Sequence, residues 1–335
     1  MPADPIPSSV RQNLLVENQA EVGDRAVGGL SQASVWKCQS PSGPLCLRVW
    51  PSHVTETQLT IIHRAMQLAA AAGLSFVPRL FHCRKNYGIQ LSTAVHDGRQ
   101  FWELSEWLPG KADYLQLPGW IRLKSAIGSL ADAHRIWSQE SVDGPSPTVA
   151  GRILRLQQWL GPWGSDVIQL LNPTEQLEAT LVAETAHYLK RFGPTLVSRL
   201  KELSQEHVRQ HFVLRDPWSD HILFEGDRVT GLIDYGAGRI DDPAADVARM
   251  LGSLEPTNKQ LRDQAVRVYN ELTYPINVAR VELFVESTNL LSALQWLQWL
   301  VIEKREFSVR RQALLYRWAK FLEIMKLQEM SQNAQ

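Results

Sequence analysis

The chain has 335 residues, 44% apolar and 21% charged, with 35 basic and 35 acidic side chains and a formal charge of zero. That is an ordinary globular composition, long enough for two lobes with a well-buried core, and its balanced charge sets up no field favouring nucleic acid or anionic lipid. Cys38, Cys46 and Cys83 lack Cys-x-x-Cys spacing, no apolar run reaches the roughly eighteen residues of a membrane span, and prolines stand where a signal peptide needs its apolar core; neither a disulfide framework nor a zinc knuckle is suggested, and a cytoplasmic protein is expected.

Residues 1–12, rich in Pro and Ser, read as a frayed tail, and residues 12–21 as a short lead-in helix. Val27–Cys38 runs from small residues into an alternating strand, and its Gly28-Gly29 pair is a turn former that also lets backbone N–H groups approach phosphate oxygens. Pro44–Trp50 is an apolar strand interrupted by one cation, Arg48. Thr55–Ala72 has helical spacing at Leu59, Ile62, Ala65, Met66 and Ala69 and is stopped by Gly73. Strands are expected near residues 79–84, 87–93 and 100–107, the last two joined by a turn at His96-Asp97-Gly98, with all three cysteines in strands. Pro109-Gly110 then breaks the pattern.

Beyond that point the chain reads as helical, with helices at Ile121–Trp137, Val149–Leu160, Pro173–Phe192, Thr195–Gln210, Asn258–Leu272, Val278–Glu303 and Ser308–Glu329, and a Pro/Ser/Gly linker at residues 141–147. His134 fits a buried, hydrogen-bonded core position, and Trp296, Trp299 and Trp318 fit core packing better than stacking on a substrate. The stretch Val213–Gly238 differs from its surroundings. It sets Asp216 and Asp234 eighteen positions apart, separated by two short apolar runs with a Glu225-Gly226-Asp227 turn between them. A hairpin of this length brings its ends together, and two convergent carboxylates suit a divalent cation and a hydroxyl nucleophile. Each Asp taken singly is an ordinary cap or turn residue; order and spacing carry the signal.

This segment resembles that of the aminoglycoside phosphotransferase and choline kinase family, whose architecture is similar to that of protein kinases. The resemblance implies an α+β, bilobal fold: a small antiparallel β-sheet N-lobe (21–108) after a tail (1–20), and a larger, mainly helical C-lobe (109–330) holding the catalytic segment (213–249). It implies that Asp216 accepts the hydroxyl proton, that Asp234 of Asp234-Tyr235-Gly236 binds metal, and that Asp246 of Asp242-Pro243-Ala244-Ala245-Asp246 braces the catalytic loop. His221 stands where the family has a metal-binding Asn. Either its imidazole ligates a softer metal such as Mn2+, or it has left the shell and hydrogen-bonds Asp216 or a phosphate, with Asp220 as the replacement oxygen donor; the second is preferred.

The same resemblance assigns Gly28, Gly29 and Arg48, the last in place of a Lys, to the phosphates of ATP. It puts Glu103, Leu104 and Trp107 at a hinge along the adenine edge. It leaves the acid partner of Arg48 unplaced, since His63 occupies the expected position and Glu56 lies near the helix start. The expected activity is ATP- and Mg2+-dependent phosphoryl transfer to the hydroxyl of a small molecule. The alternative is a kinase-like nucleotide-binding or regulatory protein with little turnover, suggested by the changes at Arg48 and His221. The C-terminal helices carry no acid-dense cluster for a polycationic aminoglycoside, so sugars, amino alcohols and amino acids stay open as acceptors.

Overall fold

A computed structural model describes residues 6–26, 33–84, 91–171, 175–307 and 309–333. Where a frayed tail was expected, Ser8–Val10 (α1) continues into a wider, π-type turn over Arg11–Val16. Ile6, Val10, Leu14 and Leu15 are buried there against one face of a sheet. The sheet is built from β1 (Glu21–Arg25), β2 (Ser34–Ser40), β3 (Gly43–Val49), β4 (Ala94–His96) and β5 (Phe101–Glu106), antiparallel throughout, in the order β1-β2-β3-β5-β4. Helix α2 (Glu56–Ala71) follows β3, with the Thr55 hydroxyl capping it by accepting from Gln58 N.

The two-residue period of the strands sorts their side chains. Leu45, Leu47 and Val49 of β3, with Trp102 and Leu104 of β5, pack beside α1. Arg48 and Glu103 point to the other face, directly opposite one another in register. Residues 79–84 do not form the expected strand, because β4 already occupies the edge of β5 from Phe101 to Glu103. A bridge from Leu80 to Ser105 and bonds from Phe81 N to Leu104 O and from Glu106 N to Arg79 O run beside the end of β5, and Cys83 lies outside any strand. Of the strand expected at 87–93, residues 85–90 lie outside the described residues, and 91–93 are a turn leading into β4.

The C-lobe comprises α3 (Trp120–Trp137), β6 (Val142–Pro145), α4 (Pro147–Leu160), α5 (Pro162–Leu170), α6 (Gln176–Glu202), β7 (His207–Val213), β8 (Ile222–Glu225), β9 (Arg228–Leu232), β10 (Arg239–Asp241), α7 (Ala244–Leu254), α8 (Lys259–Leu272), α9 (Val278–Leu297) and α10 (Arg311–Asn333). The β8–β9 hairpin turns at Gly226, as its sequence implies. Three expectations fail here. Residues 141–147 are no linker, because β6 pairs with β7, which pairs in turn with β10. The helices expected at 173–192 and 195–210 are a single helix, α6, running through Pro194. Tyr188, Leu189, Leu196, Val197 and Leu200 are buried on both sides of the proline, and that burial offsets the lost backbone bond. Its expected end, from His207 onward, is strand β7.

Helix α2 belongs sequentially to the small lobe but packs with the large one. Leu59, Ile62, Ala65, Met66 and Ala69 share a core with Trp137, Phe212 and Tyr235. Among the described residues no helix is long and apolar enough to cross a membrane. The lobes are also joined just after β5, where Lys111 N bonds Phe224 O and Phe224 N bonds Lys111 O. Gly110, with φ of 103°, permits that approach: a Cβ there would meet Thr230 Oγ1 and come within 2.9 Å of the Phe224 carbonyl oxygen. Gly98 has φ of 96° but open space around it. Gly110→Ala is therefore expected to cost about 3 kcal/mol or more and Gly98→Ala about 1 kcal/mol in urea unfolding; equal losses would show that the interlobe approach tolerates a side chain.

Candidate active site

The loop that leaves β7 is held by one carboxylate. Asp246, fully buried in the first turn of α7, accepts from Leu214 N at 2.6 Å and Arg215 N at 2.7 Å. On its other side His134 donates from Nε2 at 3.3 Å, while the Tyr269 hydroxyl donates to His134 Nδ1 at 2.7 Å, the tautomer that satisfies both contacts. The loop turns through Arg215, a non-glycine residue with φ of 71°, whose guanidinium binds buried Asp241 at 2.9 Å. Asp216 then projects outward, partly exposed.

Around Asp216 the β8–β9 hairpin gathers a compact cluster. Asp216 Oδ1 accepts from Arg249 Nε at 2.8 Å. His221 donates from Nδ1 to the Asp216 carbonyl at 2.8 Å, so its Nε2 is the acceptor, taking the Trp218 indole N–H at 3.1 Å. The same Nε2 lies 3.6 Å from Asp234 Oδ2, and Nδ1 lies 3.9 Å from Asp216 Oδ2. Asp234 has φ of 61°; its Oδ1 accepts from Gly236 N at 3.3 Å and from Arg48 Nη2 at 2.8 Å. Arg48 also stacks on the Trp50 ring, 4.1 Å from its centre. Gly236 leaves room for this contact, since a Cβ would sit 3.0 Å from Arg48 Nη2 and 3.2 Å from Asp234 Oδ1. Burial pushes the Asp234 pKa up, but the Arg48 cation and then His221 outweigh it and hold the carboxyl below its usual range.

Asp216, His221, Asp234 and Arg48 thus stand together, whereas other expected residues do not. Asp220 is exposed and paired with Arg317 at 3.2 Å rather than with His221 or Asp234. It sits in the short 3-10 turn Ser219–His221, where successive side chains fan out by roughly a third of a turn, so 220 and 221 point in different directions. Among the described residues no three His, Cys, Asp or Glu side chains form a metal cage. Leu104 is completely buried beside α1, with its carbonyl bonded to Phe81 N. Trp107 is partly exposed near the β2–β3 hairpin, where its N–H bonds Pro44 O and Lys37 Nζ lies 5.3 Å from its ring centre. Gly28 and Gly29 lie outside the described residues.

Glu103 departs from expectation most usefully. Its side chain is buried, and its Oε2 accepts from Trp50 Nε1 at 2.8 Å and from His63 Nε2 at 2.6 Å. The Thr93 hydroxyl completes the line at His63 Nδ1, 2.7 Å away. The acid facing Arg48 therefore comes from β5, and α2 contributes His63 to hold it. Burial works against the Arg48 charge, yet Asp234 and then Glu103 raise its pKa overall. The signal was present in Trp102-Glu103-Leu104-Ser105, where alternation puts an acid on the Arg48 face. Arg249 was also missed; it lies three residues beyond Asp246 and so on the same side of α7.

Residues 25–284 match the sequence model of the phosphotransferase enzyme family. The chain belongs to that family. No curated protein matches it by sequence. Among solved structures it is similar to a spectinomycin phosphotransferase in complex with ADP and spectinomycin, at a TM-score of 0.68 and 12% identity over 96% of this chain and 98% of that one. It is similar to an aminoglycoside phosphotransferase from Alicyclobacillus acidocaldarius, at 0.61 and 17% over 99% and 98%. A choline/ethanolamine kinase family protein from Mesorhizobium loti follows at 0.58 and 16% over 97% and 95%. Identities this low carry the fold alone, which is the bilobal, kinase-like α+β architecture expected above. Family and fold together make the chain a phosphotransferase of kinase-like architecture.

Its buried Glu103 has a measurable consequence. Burial raises the carboxyl pKa, but the hydrogen bond and charge of His63, then Arg48, bring it below the ordinary 4.5. A folded-state pKa below the unfolded one contributes stability that is present above pH 4.5 and lost as pH falls through the lowered value. Glu103→Gln is expected to cost about 1–3 kcal/mol at neutral pH and to flatten the loss of stability below pH 4.5, measured by urea unfolding across that range. An unchanged acid limb would remove Glu103 from this role.

Proposed function

We propose that this phosphotransferase moves the γ-phosphoryl group of ATP to a hydroxyl of a small molecule, with Asp216 as the base. One observation carries the reading: the hairpin leaves the Asp216 and Asp234 carboxylates on opposite sides of a single imidazole, with 3.9 and 3.6 Å gaps to His221. A hydroxyl held at Asp216 would then lie beside a phosphate chain held at Asp234. The hydroxyl oxygen forms a bond to the γ-phosphorus as the bond to the β–γ bridging oxygen breaks. ADP leaves with that electron pair, and the hydroxyl proton passes to Asp216. The protein's task is placement and charge, as phosphoryl transfer asks little else.

The residues fit a hard divalent cation. Asp234 Oδ2 has no hydrogen bond among the described residues, and Mg2+ commonly takes one or two carboxylates, with nucleotide phosphates filling out its shell. Asp234 would hold Mg2+, or Mn2+ in its place, and the ion when bound would neutralise phosphate charge. His221 Nε2 already accepts the Trp218 N–H, which suits it to fixing the loop rather than to ligation. Arg48 offers a guanidinium fork to the α- and β-phosphates, and the Gly28-Gly29 turn would cover them. That the similar spectinomycin phosphotransferase was solved with ADP supports the nucleotide. Glu103, opposite Arg48 in register, would serve as the acid partner that the resemblance left unplaced. ATP supply favours the cytoplasm as the site of reaction.

Asp216→Asn is expected to lower kcat by about a thousandfold while the ATP dissociation constant stays within about threefold, by a coupled ADP assay and calorimetry. Wild-type turnover in this variant would sink the assignment. In Asp234→Ala the gain in nucleotide affinity that magnesium confers is expected to vanish; calorimetry with and without Mg2+ decides, and an unchanged difference would put the metal elsewhere.

A further inference from the structure

The surroundings of Asp216 on the side away from Asp234 are cationic. Arg249, on α7, spends its Nε on Asp216, and among the described residues both Nη groups make no hydrogen bond. Arg317 arrives from α10 and spends one Nη on Asp220. The two guanidinium carbons lie 5.5 and 5.1 Å from the centre of the Trp218 ring, so the indole two residues past Asp216 holds a pair of forks at the base. Both are reachable, with side-chain exposures of 20% and 34%.

We infer that the acceptor carries an anionic group, a carboxylate or a phosphate, received by Arg249 and Arg317 beside its reacting hydroxyl. This rests on the reading of Asp216 as the base, because the acceptor must then lie against Arg249. Planar forks with unspent donors suit either anion bidentately. A polycation would meet like charges at the mouth of the site, and the nearby carboxylates are both engaged, Asp216 with Arg249 and Asp220 with Arg317. The arrangement also selects through chemistry. Arg249 occupies Asp216 Oδ1, so an acceptor anion that draws Arg249 onto itself frees that oxygen for the hydroxyl.

The test uses two matched hydroxyl series with Mg·ATP: glycerol, glycerate, glycerol 3-phosphate and 3-amino-1,2-propanediol; and glucose, gluconate, glucose 6-phosphate and glucosamine. Within a series the anionic members are expected to exceed the cationic one in kcat/KM by about tenfold or more, and comparing carboxylate with phosphate tells which anion is taken. Arg317→Gln is expected to raise KM for the anionic member about tenfold or more and to move KM for the neutral member less than about twofold. Thermal unfolding with Mg·ADP at constant ionic strength gives a second readout. Malonate or inorganic phosphate is expected to raise the wild-type midpoint, and the Arg249→Gln, Arg317→Gln double variant is expected to lose that rise. Preference for the cationic members, or equal midpoint shifts in wild type and double variant, overturns the inference. Failure of the underlying phosphotransferase reading looks different: wild type then neither binds Mg·ATP nor releases ADP with any acceptor.

Discussion

Two backbone N–H groups, those of Leu214 and Arg215, have to find acceptors where β7 ends in the interior, and the Asp246 carboxylate takes both. Hydrogen bonds to a buried charge are each worth about 1.5–3 kcal/mol, enough together to hold Arg215 in a left-handed conformation costing about 1–3 kcal/mol. Much of the site's geometry follows from that one constraint. With Arg215 turned, its guanidinium faces Asp241 and the next residue, Asp216, faces out. Because Asp246 lies in the first turn of α7, Arg249 comes up one turn later on the same side, at bonding distance from Asp216. His134 and Tyr269 secure the carboxylate from α3 and α8, so the loop is anchored to the deepest part of the large lobe.

The small lobe solves its own positioning problem by strand register. Arg48 and Glu103 are cross-strand partners on the cleft face of the sheet, and sheet pairing, rather than helix docking, holds acid and cation together. Helix α2 acts one step removed, through His63 on Glu103. Since the apolar face of α2 packs with Trp137, Phe212 and Tyr235, the His63–Glu103 bond ties the sheet to the large lobe from behind. The Arg48–Asp234 bond ties the lobes together from the front. Trp50 serves both ties, bonding Glu103 through its indole N–H and carrying Arg48 on its ring face.

What was legible in the sequence was what depends on neighbours along the chain. The apolar spacing of α2, the Gly226 turn of the β8–β9 hairpin and the ordered Asp216, Asp234 and Asp246 are local patterns, and each formed. The three-stranded sheet was not legible, because its strands come from residues 142–145, 207–213 and 239–241 and none has a partner until the lobe has folded. Pro194 misled for the opposite reason: a strong local breaker was overruled by apolar residues packed on both sides of it. Asp220 and His221 are adjacent in sequence, and only the 3-10 geometry of their turn sends one to Arg317 and the other between Asp216 and Asp234. Glu103 was read as part of a hinge when strand alternation already pointed it at Arg48.

In the reaction we propose, the nucleotide side and the acceptor side of this cleft draw on different parts of the chain. Arg48, Asp234 and Gly236 belong to the sheet and the segment that follows β9, which the family pattern covers. The cations at Trp218 come from α7 and α10, and of these Arg317 lies beyond residue 284, where the family match ends. Trp218 is where the two sets meet. Its N–H fixes the imidazole that separates the two carboxylates, and its ring lies against both arginines. A charge drawn to those arginines thus bears on the same indole that holds His221 between Asp216 and Asp234, which couples recognition of the acceptor to the geometry of transfer through one side chain.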